Sequence, residues 1–179
     1  MKLLSWNIRG LGKDRTFREA QQLLQEYRPQ ICFLCETKMT ARQMQGKASK
    51  LQFQNCFAVD REGLGGGLAM CWMDDINVEI KSFSKHHVDA VVHNEEGKFW
   101  RCTRVYGHPE TDQKKHTWEL LRRLAGLSSL PWLCFGDFNE VLNLNEKLGG
   151  RDRRANLVND FREVLKDCDL TDLGSTGYP

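Results

Sequence analysis

No apolar run in this chain approaches the roughly 18 residues that a membrane-spanning helix requires, so no membrane role is expected. The N-terminus enters a strand pattern at once, without a charged region, an apolar core and a cleavage site. Secretion is therefore not expected, and a nuclear or cytoplasmic, intracellular protein is. There is no G-x-S-x-G and no nucleophile–histidine signature, which leaves serine or cysteine hydrolysis without support. Linkers, repeats and low-complexity stretches are also missing, and at 179 residues the expectation is a single domain with a sizeable core. A formal net charge of only +2 neither indicates nor excludes a polyanionic partner, so local clustering has to decide.

Seven cysteines, an odd number, are spread along the chain and read as buried thiols of a reducing compartment. Cys32 and Cys35 form a C-x-x-C, but residues i and i+3 of a strand point to opposite faces, and no second pair stands at zinc-finger distance. Both are read as core residues. Gly63-Leu64-Gly65-Gly66-Gly67 leads into a strand with no following lysine, so it reads as a hairpin turn and not a phosphate loop. His86 and His87 with Asp89 are weak candidates for metal ligation or base catalysis, and nothing in the sequence pairs His108 with His116.

Strand and helix signals alternate at both ends of the chain, and the middle is rich in strands, which predicts an α/β fold of two sheets with helices outside. Strands are predicted at 2–7, 31–36, 57–59, 68–72, 78–83, 87–92, 99–106 and 132–135. Phe17, Ala20, Leu24 and Tyr27 mark one face of a first helix. Thr40 caps a second helix running toward Leu51, and Thr111 or Asp112 caps a third over 114–127. A fourth covers 157–168.

The segment Leu130 to Glu140 carries the chemistry. Trp132 to Phe135 has no alternation, as in a strand covered on both faces; Gly136 lets the backbone bend, and Asp137 and Asn139 follow. In extended chain these two project to one side, a carboxylate beside a carboxamide, suited to activating water next to a phosphate oxygen. Three other strands end on polar groups: Asn7, Glu36 and Tyr106. Open α/β sheets place ligand groups at strand C-termini, so Asn7, Glu36, Tyr106, Asp137 and Asn139 are candidates to converge on one cleft. Basic residues cluster beside it: Arg9, Lys13, Arg15 and Arg18 after the first strand, and Lys147, Arg151, Arg153 and Arg154 after Asn139. Such a rim attracts a phosphate backbone and makes binding salt-dependent.

In these segments the chain resembles the endonuclease/exonuclease/phosphatase superfamily. Ser5-Trp6-Asn7-Ile8-Arg9-Gly10-Leu11, Glu36-Thr37-Lys38, Tyr106-Gly107-His108-Pro109 and Gly136-Asp137-Phe138-Asn139-Glu140 follow that family's order. More narrowly, the chain is similar to the endonuclease domain of plant-type LINE (non-LTR) retrotransposons, through Glu146-Lys147-Leu148-Gly149-Gly150 as well. The resemblance implies a four-layer α/β sandwich of two mixed sheets flanked by helices. It also implies Mg²⁺-dependent hydrolysis of a DNA phosphodiester, with Mn²⁺ as a substitute, no small-molecule cofactor, and an origin beside a reverse transcriptase. By the same resemblance Glu36 holds the metal with Asn7 beside it, Asp137 orients or deprotonates the attacking water, Asn139 binds a phosphate oxygen, and Tyr106 hydrogen-bonds the scissile phosphate. Arg9, Lys13, Arg151, Arg153 and Arg154 are the candidate DNA contacts.

Two departures refine what is implied. Arg9 stands where apurinic-site endonucleases of the superfamily carry aspartate, which bears on subclass. The family continues with a Thr-Trp segment, a Leu-Asp-Arg and a Ser-Asp-His triplet, whereas the sequence given ends at Gly177-Tyr178-Pro179. The expectation is then a domain lacking its last strands, with a sheet edge exposed and the catalytic set incomplete. The alternatives to a DNA endonuclease are an inactive remnant and a phosphatase of the same superfamily acting on a small phosphorylated substrate.

Overall fold

Two four-stranded mixed sheets with flanking helices make up the α/β fold, as the alternation of strand and helix signals predicts. The computed structural model describes residues 1–93, 97–146 and 154–174. Lys147, Arg151, Arg153 and the 147–150 and 175–179 stretches lie outside the described residues. The chain divides into two compact units: Met1–Tyr106 with Leu130–Asp137, and Gly107–Ser129 with Phe138–Pro179.

The first unit contains both sheets. In one, strands β1 (Leu3–Asn7), β2 (Ile31–Cys35), β3 (Asn55–Glu62) and β4 (Gly65–Trp72) are ordered β1-β2-β4-β3, with only β1 and β2 parallel. In the other, β5 (Asn77–Ser84), β6 (His87–His93), β7 (Phe99–Tyr106) and β8 (Trp132–Asp137) follow in order, antiparallel except for β7 and β8. Two apolar layers result. Ile31, Phe33, Cys35, Leu68 and Met70 of the first sheet meet Val88, Ala90, Val92 and Cys102 of the second. The opposite face of the first sheet, with Cys32, Leu34, Ala69 and Cys71, buries Ala20 and Leu24 of helix α1 (Asp14–Tyr27) and Met44 and Ala48 of α2 (Ala41–Lys50). Cys32 and Cys35 thus serve different layers, as their spacing requires.

Thr40 caps α2 as predicted, in a reciprocal box: Gln43 N–H donates to Thr40 Oγ1 (3.3 Å) and Thr40 N–H to Gln43 Oε1 (3.0 Å). Three local expectations are corrected. Tyr27 is 51% exposed and not on the buried face, because it is the last helical residue, followed by Arg28 in a left-handed turn at φ 46°. Trp132 to Phe135 are half-buried, since β8 is an edge strand. In the second unit, helix α3 (Lys114–Ala125) is led by a 3₁₀ turn at Thr111–Gln113, so neither Thr111 nor Asp112 caps it. That turn also folds the chain so that the His108 and His116 rings come within 5.8 Å, a pairing the sequence did not reveal. Helix α4 (Ala155–Asp167) buries Leu157, Val158, Phe161 and Val164, and Phe161 stacks on Trp118 at 5.0 Å.

Gly136 is the tightest backbone approach in the second sheet. Its φ is 136°, and a Cβ there would overlap the Val105 carbonyl oxygen on the neighbouring strand. Gly136→Ala is expected to cost about 4 kcal/mol in urea unfolding, through combined strain and overlap. Thr40→Ala should cost only about 1 kcal/mol in the same measurement, the ordinary loss of a helix cap.

Candidate active site

Four strands of the first unit finish close together. β1 ends on Asn7, β2 at Cys35 with Glu36 next, β7 on Tyr106 and β8 on Asp137. Asn7 is the register partner of Cys35, and Tyr106 that of Asp137. β1 also approaches β8 across the two sheets. Parallel pairing directs the ends of β1 and β2 the same way in one sheet, and those of β7 and β8 the same way in the other.

Tyr106 Oη donates to Glu36 Oε1 at 2.8 Å, and Asn7 Nδ2 reaches the same oxygen at 3.5 Å. Burial, then the Glu36 acceptor and the Glu36 and Asp137 charges, push the Tyr106 hydroxyl up to about 12, so it stays a donor throughout the neutral range. Glu36 itself sits in the left-handed region at φ 51°, an uncommon conformation for a residue with a side chain. The loop is held from both sides. Ile8 N–H donates to the Cys35 carbonyl and Leu11 N–H to that of Thr37, both at 3.0 Å. On the far side Thr37 N–H donates to the Gly67 carbonyl (3.2 Å) and Lys38 N–H to that of Gly66 (3.0 Å). Gly67 has φ 86°, and a Cβ on it would overlap Thr37 Oγ1. The glycine cluster is a hairpin, as its sequence indicates, and it also splints the Glu36 loop.

Asn7 Oδ1 is buried with no hydrogen-bond partner. An orphaned acceptor oxygen next to a carboxylate is a donor set that suits a hard cation. Among the described residues no group of three His, Cys, Asp or Glu side chains is poised for a metal. The oxygens of Asn7 and Glu36 would make a partial donor set, of the kind that a hydrated divalent cation completes with its own waters.

Arg104 was not among the residues singled out from the sequence. It is 1% exposed, and its place two residues before Tyr106 directs it into the layer between the sheets. Its Nε and Nη1 have no hydrogen-bond partner, and the guanidinium lies 5.9 Å from the Tyr106 ring. Burial pushes its pKa down, opposed by Cys35, Asp137 and Tyr106. The signal for it was a lone cation at an inward position of β7.

The remaining candidates are distributed differently. Asn139 belongs to the second unit and has φ 54°, so the chain beyond Asp137 is not extended and the same-side projection of the two residues does not apply. Asn139 Nδ2 donates to the Gly107 carbonyl at 2.7 Å, and its own carbonyl accepts from Lys114 Nζ. Lys114, 1% exposed, also pairs with Glu140 at 3.2 Å, which fixes this turn. Arg9 and Lys13 are exposed in the segment after Asn7, and Arg154 is exposed at the start of α4 in the second unit. His87 is buried with its ring between Ser82 Oγ (3.1 Å) and Ser84 Oγ (2.8 Å), while His86 Nδ1 is 3.0 Å from the Tyr106 carbonyl oxygen. Both histidines are engaged in structural contacts.

Among solved structures, the endonuclease domain of TRAS1, a telomere-specific non-LTR retrotransposon, is similar over 98% of this chain and 75% of its own, with a TM-score of 0.72 at 14% identity. The AP endonuclease LMAP of Leishmania major is similar over 93% of this chain and 66% of its own (TM-score 0.68, 12% identity). The human nocturnin catalytic domain is matched over 78% of this chain at 16% identity (TM-score 0.56), and this chain spans 65% of its length. No curated protein sequence matches. These likenesses establish the fold. The sequence itself matches the endonuclease/exonuclease/phosphatase family over residues 4–178, and the chain belongs to that family.

Proposed function

We propose that the chain acts in Mg²⁺-dependent hydrolysis of a DNA phosphodiester, as an endonuclease domain of the non-LTR retrotransposon kind. The observation that carries this reading is the meeting of Asn7, Glu36 and Tyr106 around one carboxylate oxygen, with Asp137 in register beside Tyr106. In this reading Glu36 and Asn7 Oδ1 hold the cation, with Mn²⁺ able to replace it. Bound there, the ion would offset the negative charge that builds on the phosphoryl oxygens.

The chain's own groups supply the rest. Asp137 accepts the proton of the attacking water. Tyr106 Oη, a donor at neutral pH, turns from Glu36 to a non-bridging phosphate oxygen. Arg104 contributes a fixed positive charge beneath the carboxylates, which keeps the local sum of charge near balance when no substrate is present. Arg9 and Lys13, exposed just after Asn7, favour a polymeric phosphate backbone over a small substrate, and the similarity to the TRAS1 domain supports DNA as that polymer. Arg151, Arg153 and Arg154 are proposed as contacts to a phosphate backbone on their basic clustering in the sequence.

Nicking of supercoiled plasmid by the 179-residue chain tests this directly. Nicking should require Mg²⁺ and stop with EDTA. Asp137→Ala should lower the rate by about a thousandfold, as for loss of a general base, and Tyr106→Phe by about a hundredfold, as for loss of one transition-state donor. A folded chain that does not nick, or an Asp137→Ala variant that nicks normally, would overturn the reading. Phosphate release from a small phosphomonoester without nicking would instead select the phosphatase branch.

Salt dependence tests the DNA contact separately. In a DNA-binding titration, Arg9→Ala and Lys13→Ala should each reduce the slope of log K against log salt by about one, with little dependence on DNA sequence. Unchanged slopes would remove both residues from the interface.

A further inference from the structure

Three cysteines stand in a row across the first sheet. Cys32 on β2 and Cys56 on β3 are both register partners of Cys71 on the strand between them, β4. All three side chains belong to the layer facing α1 and α2. Cys71 Sγ lies 3.4 Å from Cys56 Sγ, and all three thiols are free. Directly opposed residues of antiparallel strands have Cα atoms about 4.5 or 5.5 Å apart, according to the type of pair. Both values fall inside the range of about 4.4–6.8 Å that a cystine tolerates, so the spacing of paired strands admits a bond once the side chains rotate.

The two partners differ in access. Cys56 is on the edge strand and only partly buried, whereas Cys71 and Cys32 are fully enclosed. We propose that Cys56 and Cys71 form a redox-active pair, a modification site at which a peroxide converts two thiols into a reversible cystine between β3 and β4.

The chemistry divides naturally between them. The Cys71 S–H donates to Cys56 Sγ, which holds the Cys56 thiol below its usual range; giving that bond, and burial, push Cys71 well up. Cys32 is pushed up to about 12 by burial and the neighbouring Cys56, and does not compete. Cys56 is the attacking thiolate and Cys71 the resolving thiol. In the first step Cys56 sulfur attacks one oxygen of hydrogen peroxide: an S–O bond forms, the O–O bond breaks, and the departing hydroxide takes a proton to become water. Sulfur is oxidised to the sulfenic acid and the peroxide is reduced. In the second step Cys71 sulfur, losing its proton, attacks Cys56 sulfur; the S–S bond forms, the S–O bond breaks, and the second oxygen leaves as water. Two thiols and one peroxide become one cystine and two waters. An external dithiol reverses the process by exchange. None of these steps involves the residues assigned above to DNA hydrolysis.

The test uses the full native chain treated with hydrogen peroxide, capped with N-ethylmaleimide, digested and mapped by mass spectrometry. The expected result is one cross-linked peptide pair joining Cys56 to Cys71, lighter by two hydrogens and abolished by dithiothreitol. Cys32→Ser should leave that cross-link intact. Cys56→Ser, at a partly exposed position, should leave Cys71 reduced, and Cys71→Ala should leave Cys56 as a sulfenic acid trapped by dimedone. Folding of each variant is read by circular dichroism, and the unmodified chain alone already decides the main point. Full N-ethylmaleimide capping of Cys56 after peroxide, oxidation of Cys56 without a cross-link, or a cross-link made equally to Cys32 would each overturn the proposal.

Discussion

The apolar layer shared by the two sheets is the constraint on which the rest of the first unit depends. Phe33 meets Phe135 edge-on at 4.8 Å, and Ile31, Met70, Val88 and Val92 fill the space beside them. Burying side chains of this size contributes about 1.5–3 kcal/mol each. More important here, it fixes register. Side chains alternate along a strand, so a slip of one residue would turn the whole inward set outward. With register fixed in both sheets, the ends of β1, β2, β7 and β8 have no freedom in where they stop. Asn7, Glu36, Tyr106 and Asp137 meet because hydrophobic burial elsewhere has already settled the geometry.

That same layer contains the largest local conflict in the unit. A guanidinium with two unpartnered donors in an apolar space is unfavourable to folding, since buried polar groups ordinarily find partners. Arg104 is offset in part by Cys35 and by the charge of Asp137. Departures of this kind, where local rules are broken without an obvious structural gain, concentrate near sites of chemistry. The Asp89–Arg101 pair shows the contrasting case. There two side chains, each 2% exposed, meet at 2.8 and 3.0 Å, and Thr103 donates to the same carboxylate, so burial is matched by bonding.

Much of this was legible in the sequence where a single physical signal dominated. Strand signals located the eight strands of the described residues, and Thr40 before the second helix announced a cap that the backbone then used. The rule that ligand groups sit at strand C-termini grouped Asn7, Glu36, Tyr106, Asp137 and Asn139 before any geometry was known, and the first four finish the strand ends that come together. What remained hidden depended on neighbours distant in sequence. The half-burial of Trp132 to Phe135 follows from β8 having one partner, which no local pattern encodes. The left-handed turn at Asn139 is held by Gly107 and Lys114, both far from it in sequence. Arg104 had a visible oddity, yet its depth depends on packing between two sheets. The cysteine row needs the β2-β4-β3 order, which sequence order does not supply.

The glycine hairpin has a wider consequence. Its inner glycines, Gly66 and Gly67, are locked against Thr37 and Lys38, while its tip is open: Leu64 is 87% exposed and nothing crowds Gly63. One short element therefore combines a frozen root with a tolerant crown. Evolution or an engineer can lengthen the crown, graft a recognition peptide onto it or tether it to another protein. A change at the root would instead travel straight to the loop that carries Glu36, and reset that side chain from a distance without altering any of the polar groups at the strand ends.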